Sequence, residues 1–194
     1  LARLPLLILG FLGLFAGMGA GLARLGWGVP DIAAAASAMH GPLMICAFFG
    51  VVISLERAVA LGRIWAYAGS LLAGLGGIAT IAGALGIAPW LFLLGSLVLL
   101  AATVDVLRRQ TAMFTFTLTL GALCWSTGNA LWAQGATVHA VVPWWLAFLI
   151  LTIAGERLEL SRFLPPSPFA RRAFGLILAG SLAGLLGIAT AWGP

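Results

Sequence analysis

The sequence predicts an all-α, polytopic membrane protein, and three observations carry that expectation. Of its 194 residues, 62% are hydrophobic and only 8% charged, with a mean hydropathy of +1.14, a balance far outside that of soluble domains. Apolar stretches long enough to cross a bilayer follow one another along the whole length. All ten basic residues are arginines, and they gather at alternate ends of those stretches.

The first stretch, residues 5–25, follows a single Arg3, shows no small-residue cleavage pattern and is read as a retained helix. The others lie at about 36–60, 65–86, 89–107, 112–133, 140–161 and 172–192, giving seven transmembrane helices of roughly twenty residues each. Residues 1–194 are thus expected to form a single transmembrane domain with no soluble domain beside it.

Loops that stay in the cytoplasm hold back positive charge during insertion. Arg57 and Arg63 follow the second helix, Arg108 and Arg109 the fourth, and Arg157, Arg162, Arg171 and Arg172 surround the loop before the seventh, whereas the opposite side carries Arg24 with Asp31. The N-terminus is therefore placed in the cytoplasm, and the expected location is the cell inner membrane, as a multi-pass protein. An isoelectric point near 11.1 fits contact with an anionic inner leaflet of the lipid bilayer. It does not indicate nucleic acid, because no basic patch is interleaved with aromatics on a soluble face.

The two histidines each precede a Glu-Arg pair by about sixteen residues: His40 to Glu56-Arg57 in MHGPLMICAFFGVVISLER, and His139 to Glu156-Arg157 in HAVVPWWLAFLILTIAGER. A helix of that length spans about 24 Å, so each histidine is placed at one membrane face, the outer one, and each Glu-Arg at the other. A second recurrence joins GSLLAGLGGIAT at 69–80 to GSLAGLLGIAT at 180–190. Together they suggest a 3+1+3 parallel internal repeat, with halves at about 1–86 and 112–194 and a linker helix at about 89–107. Chance similarity among Leu-, Ala- and Gly-rich helices is the competing explanation.

Ionisable groups within membrane spans are costly and usually face the bundle interior, so two histidines at matching depth are placed to meet across a pseudo-twofold axis. Facing imidazoles are what axial ligation of a haem requires. Met44, one turn after His40, adds a soft thioether that suits an axial or copper contact, and Arg24 could pair with a haem propionate. The plainer reading is two imidazoles hydrogen-bonding at the interface. Pro42 and Pro143 follow the histidines closely; Pro143 is expected in the first turn of its helix, where its missing N–H costs little.

Glu56, Arg57, Glu156 and Arg157 are expected to act as structural charge pairs, crossed so that Glu56 meets Arg157 and Glu156 meets Arg57. A gate or proton entry point is the other reading. Asp105, one turn before Arg108 and Arg109, suggests a local ion pair. The fifth helix is the most polar span, and Asn129, Ser126 and Thr127 are either interhelical glue or the lining of a path for a small solute. Trp90, Trp144 and Trp145 are expected in the interfacial belt. Cys46 and Cys124 lack CxxC spacing and are read as buried small hydrophobes. Gly17, Gly19 and Gly21, and Gly74, Gly76 and Gly77, are read as surfaces for close helix approach.

The segment MHGPLMICAFF resembles the His-Gly-x-x-Met segment in the second helix of haem-copper oxidase catalytic subunits. The resemblance implies that His40, followed by Gly41 and Met44, is a haem ligand. It covers about a dozen residues; the chain is much shorter than that family and has no second histidine cluster, so oxygen reduction is not implied. The segment is also similar to NnrS-type haem- and copper-containing membrane proteins, which implies a link to nitric oxide or copper. LERAVALGR with TIAGERLELSR resembles a widespread uncharacterised bacterial seven-helix membrane family, which implies no activity.

Three functions follow. The first is a haem-b-binding protein for electron transfer or diatomic-gas response, ligated by His40 and His139, with copper as the other metal those donors suit. The second is a small-solute transporter of 3+1+3 topology. The third is an accessory or assembly subunit of a larger membrane complex, or a homo-oligomer. No nucleophile–base pair, catalytic carboxylate pair or phosphate loop is visible, so the sequence does not read as an independent enzyme.

Overall fold

The protein is described here by a computed structural model that covers residues 3–160 and 168–191. Among the described residues there is no strand. Helix α1 runs Leu4–Arg24, with Pro5 in its first turn, where a missing N–H is harmless. A short α2, Asp31–Ala35, and a 3₁₀ turn, Ser37–Met39, lead to a π-helical segment, Pro42–Phe49, which continues as α3, Gly50–Leu61. Gly62, at φ +66°, ends α3 in the left-handed conformation that glycine adopts without strain. A second 3₁₀ turn, Ile64–Ala66, opens α4, Tyr67–Ile81. Then follow α5, Ala88–Arg109; α6, Met113–Ala133; α7, Val138–Leu160; and α8, Pro168–Ala191.

Five segments are long and apolar enough to cross a membrane: Leu4–Arg24, Pro42–Leu61, Ile64–Ile81, Ala88–Arg109 and Val138–Leu160. Helix α6 has the length, but its threonines, Ser126 and Asn129 dilute its hydropathy. Ile8, Phe15, Leu94 and Ile150 are exposed on the outside of the bundle, as side chains facing lipid would be.

Three expectations are corrected. The second stretch was expected from residue 36, yet the spanning segment starts at Pro42; proline cannot donate to the preceding turn, and residues 31–39 form separate short turns. Pro143 lies inside α7, which begins at Val138, so the carbonyl of His139 loses its usual donor four residues on. Trp145 is fully buried, not interfacial, whereas Trp90 is exposed. Arg162 lies outside the described residues.

Helices α4, α5, α6 and α7 pack each against the next, α1 lies along the π-helical segment and α4, and α7 touches the π-helical segment from the other side. Lipid supplies no hydrophobic force between helices, so close packing must hold them. Aromatic rings fill the centre. Trp125 stacks on Phe148 at 4.9 Å between centroids, Trp132 meets Trp145 edge-on at 5.4 Å, and Phe92 stacks on Trp132 at 6.0 Å. Among the described residues, helix α8 rests on α7.

Candidate functional site

Four residues singled out in the sequence line one cavity. Arg24, at the last turn of α1, His40 and Met44, at the start of the π-helical segment, and His139, in the first turn of α7, share a cavity of about 330 Å³. Ala38, Gly41, Ile45, Val138 and Val142 complete it. A second, more open cavity of about 490 Å³ shares His40 and Arg24 with the first and is otherwise lined by Met18, Gly21, Leu22 and Leu25.

The local packing decides how His40 is presented. Its Nδ1 lies 2.7 Å from the carbonyl oxygen of Gly17, which can only accept, so Nδ1–H is the donor. In the neutral ring this leaves Nε2 unprotonated, with its lone pair available. Orienting one imidazole nitrogen through a backbone carbonyl while the other is left for a ligand is a common arrangement at metal-binding histidines. Helix α1 can come this close because of its glycines. A Cβ at Gly17 would sit 2.8 Å from Met44 Sδ, and one at Gly21 would sit 2.9 Å from His40 Nδ1. Gly13 and Gly10 continue the contact against Ala47 and Val51, so the two segments run antiparallel.

The backbone contributes as well. Pro42 cannot donate to Ala38, nor Pro143 to His139, and both of those residues line the cavity. π-Helical turns are uncommon and are often found at functional sites; here one carries Met44 and Cys46.

Deeper in the bundle, Asn129 is a fully buried crosslink. Its Oδ1 accepts from Trp145 Nε1 at 2.9 Å and from Cys46 Sγ at 3.4 Å, and its Nδ2 donates to the Phe92 carbonyl at 3.2 Å. Trp125 Nε1 donates to Cys46 Sγ at 3.4 Å. Four helical segments are tied through this one amide. Ser126 and Thr127 instead donate to Ala122 and Leu123 of their own helix, at 3.0 and 2.9 Å. The roles of Cys46, Trp125 and Trp145 were missed from sequence. A thiol and indoles at a depth where every polar group needs a partner were the available signal.

At the opposite end of the same helices, Glu156 of α7 faces Glu56 and Arg57 of α3. Among the described residues no contact ion pair joins Glu56 to Arg157 or Glu156 to Arg57, while the charges of both Glu56 and Arg57 act on Glu156. Asp105 pairs locally as expected, with Arg109, at 2.7 and 3.1 Å. Among the described residues there is no group of three or more His, Cys, Asp or Glu side chains placed to hold a metal ion. The cavity's donors are two imidazoles and a thioether, a set suited to axial haem ligation or to a soft ion.

The profile of the family described as a domain of unknown function, DUF8744, matches residues 3–193, and the chain belongs to that family. No curated protein and no solved structure matches it significantly.

Proposed function

We propose that this DUF8744 member is an inner-membrane haem-b-binding protein for electron transfer or diatomic-gas response, with His40 and His139 as axial ligands. The observation that carries the reading is that His40, His139, Met44 and Arg24, drawn from three separate helical segments, line one cavity. Two cavities of about 330 and 490 Å³ meet at His40; cofactor sites commonly span roughly 300–1,000 Å³. When bound, haem supplies one-electron chemistry or a diatomic-gas ligation site. The chain supplies the rest. Gly17 orients the His40 ring through Nδ1, Met44 offers a thioether at the same wall, and Arg24 offers a guanidinium to a propionate.

The accompanying membrane topology is seven spans, α6 and α8 included, with a cytoplasmic N-terminus on the arginine distribution. The 3+1+3 repeat is supported by one meeting of equivalent residues: His40 shares a cavity with His139.

The test is an absorption spectrum of the protein purified from haem-supplemented membranes, oxidised and then reduced, beside His40→Ala and His139→Ala. A sharp reduced band lost in both variants is expected. A featureless spectrum, with a control cytochrome loaded in the same cells, overturns the reading and favours transport or assembly.

A further inference from the structure

Helices α7 and α8 lie side by side without closing on one another, and the gap between them is a groove of about 260 Å³. One wall is α7, through Pro143, Ala147, Ile150 and Ala154; the other is α8, with Phe174 at the Ala154 end and Leu185 at the Pro143 end. Positions 143, 147, 150 and 154 make one stripe of a helix, about 16 Å long at a rise of about 1.5 Å per residue. The two alanine methyls on that stripe fill little of the gap. The hydroxyl of Ser181 on the lining is spent on its own helix, donating to the Ile177 carbonyl at 2.8 Å, so an occupant finds apolar surface along the described lining. Ile150 and Ile177 are 63% and 68% exposed, which leaves the groove open along the outside of the bundle. A volume of this size drawn out over that length is a channel a few ångströms across, whereas a helix needs roughly 10–12 Å. It fits a single hydrocarbon chain.

One end of the groove carries charge. The α7 stripe continues to Arg157, three residues past Ala154 and seven past Ile150, and its side chain is exposed. Glu156 and Glu159, at about 100° of helix per residue, fall on the opposite side of α7. The groove therefore meets a guanidinium with no carboxylate from the same helix face beside it. Arg171 and Arg172 begin α8 at this same end. We infer that the groove is a binding site for an anionic phospholipid, with one acyl chain held between α7 and α8 and the phosphate on the Arg157 guanidinium. The chain supplies contact atoms to walls that otherwise have none on one side, and guanidinium–phosphate pairing selects the headgroup. Bound there, the lipid joins α8 to α7. The site uses no residue of the histidine cavity, so it stands or falls independently of haem.

Native mass spectrometry of the full chain, released from mild detergent in the presence of phosphatidylglycerol and phosphatidylcholine of matched chains, tests the site. Phosphatidylglycerol is expected to be retained about fivefold more than phosphatidylcholine, the preference that one arginine at a membrane surface supplies. Arg157→Gln should abolish that preference and Arg157→Lys keep it, while Arg109→Gln, at another exposed arginine, leaves it unchanged. Ala154→Leu, which narrows the groove, should lower retention of both lipids. Equal retention of the two lipids by the unsubstituted protein, or a loss in Arg157→Gln no greater than in Arg109→Gln, overturns the headgroup site. Retention untouched by Ala154→Leu places the chain outside the groove, and a lipid-free dimer as the main species shows that a second copy covers it; either result also overturns the inference.

Discussion

Two helices carry nearly the same words and live in opposite surroundings. On α4, GSLLAGLGGIAT is packed on several sides. A Cβ on Gly74 would meet Leu9 at 2.7 Å, one on Gly76 the Phe92 ring at 2.9 Å, and one on Gly77 the Ala47 side chain at 2.8 Å. On α8, in GSLAGLLGIAT, a Cβ on Gly180 or Gly184 meets no described atom within 4 Å. The serines diverge likewise: Ser70 is buried and donates to the Val51 carbonyl of another helical segment at 3.1 Å, while Ser181 donates to Ile177 of its own helix at 2.8 Å. A small-residue word therefore permits close approach without enforcing it. What differs is the neighbours: α4 lies among α1, α3, α5 and the π-helical segment, whereas α8 borders α7.

The sharpest way to break this contrast is to enlarge equivalent glycines. Gly74→Leu is expected to cost about 1–3 kcal/mol through overpacking against Leu9, whereas Gly184→Leu should stay within about 0.5 kcal/mol. Reversible unfolding in mixed micelles measures both, and equal losses would mean that α8 is as tightly packed as α4. Next in size is Asn129→Leu, expected to cost about 1–3 kcal/mol because it strips the acceptor from the buried Trp145 N–H inside the well-packed body. A smaller loss in the same unfolding assay would show that water replaces the amide. The mildest probe pairs Ser70→Ala, at about 0.5–1.5 kcal/mol, with Ser181→Ala, near zero within about 0.5 kcal/mol. Thermal midpoints that fall alike in the two variants would remove the distinction between an interhelical hydroxyl and one bonded to its own turn.

The two histidine helices make a second comparison, and here likeness of sequence does bring likeness of place. His40 and His139 reach the same cavity, and at the far end the charges of Glu56 and Arg57 act on Glu156. Spacing alone was enough to suggest that the histidines meet at one end and the Glu-Arg turns at the other, because two helices of one length that touch at one end and run together bring their other ends together. The partners were not legible. Which face of a helix turns inward depends on its rotation about its own axis, and apolar residues all round leave that rotation unspecified. Trp145 escaped the sequence reading for the same reason. Its neighbour Trp144 is only partly buried, and nothing in the dipeptide says which indole points to Asn129.

Composition and period by themselves determined that this is a helical protein with segments long and apolar enough to cross a membrane, roughly where those segments lie, and which few polar residues stand out among them. Hydrophobicity is summed along the chain, so one dimension suffices to read it. Tertiary structure alone decided that Gly17 and Gly21 admit the His40 ring and Met44, that Nδ1 of His40 is committed to a backbone carbonyl, that Cys46, Asn129 and two tryptophans form one network, and that Arg57 and Ser54 are left with unanswered donors. These depend on contacts between helices distant in sequence. In an apolar medium such contacts are selected by shape and hydrogen bonding, which no local pattern of residues encodes.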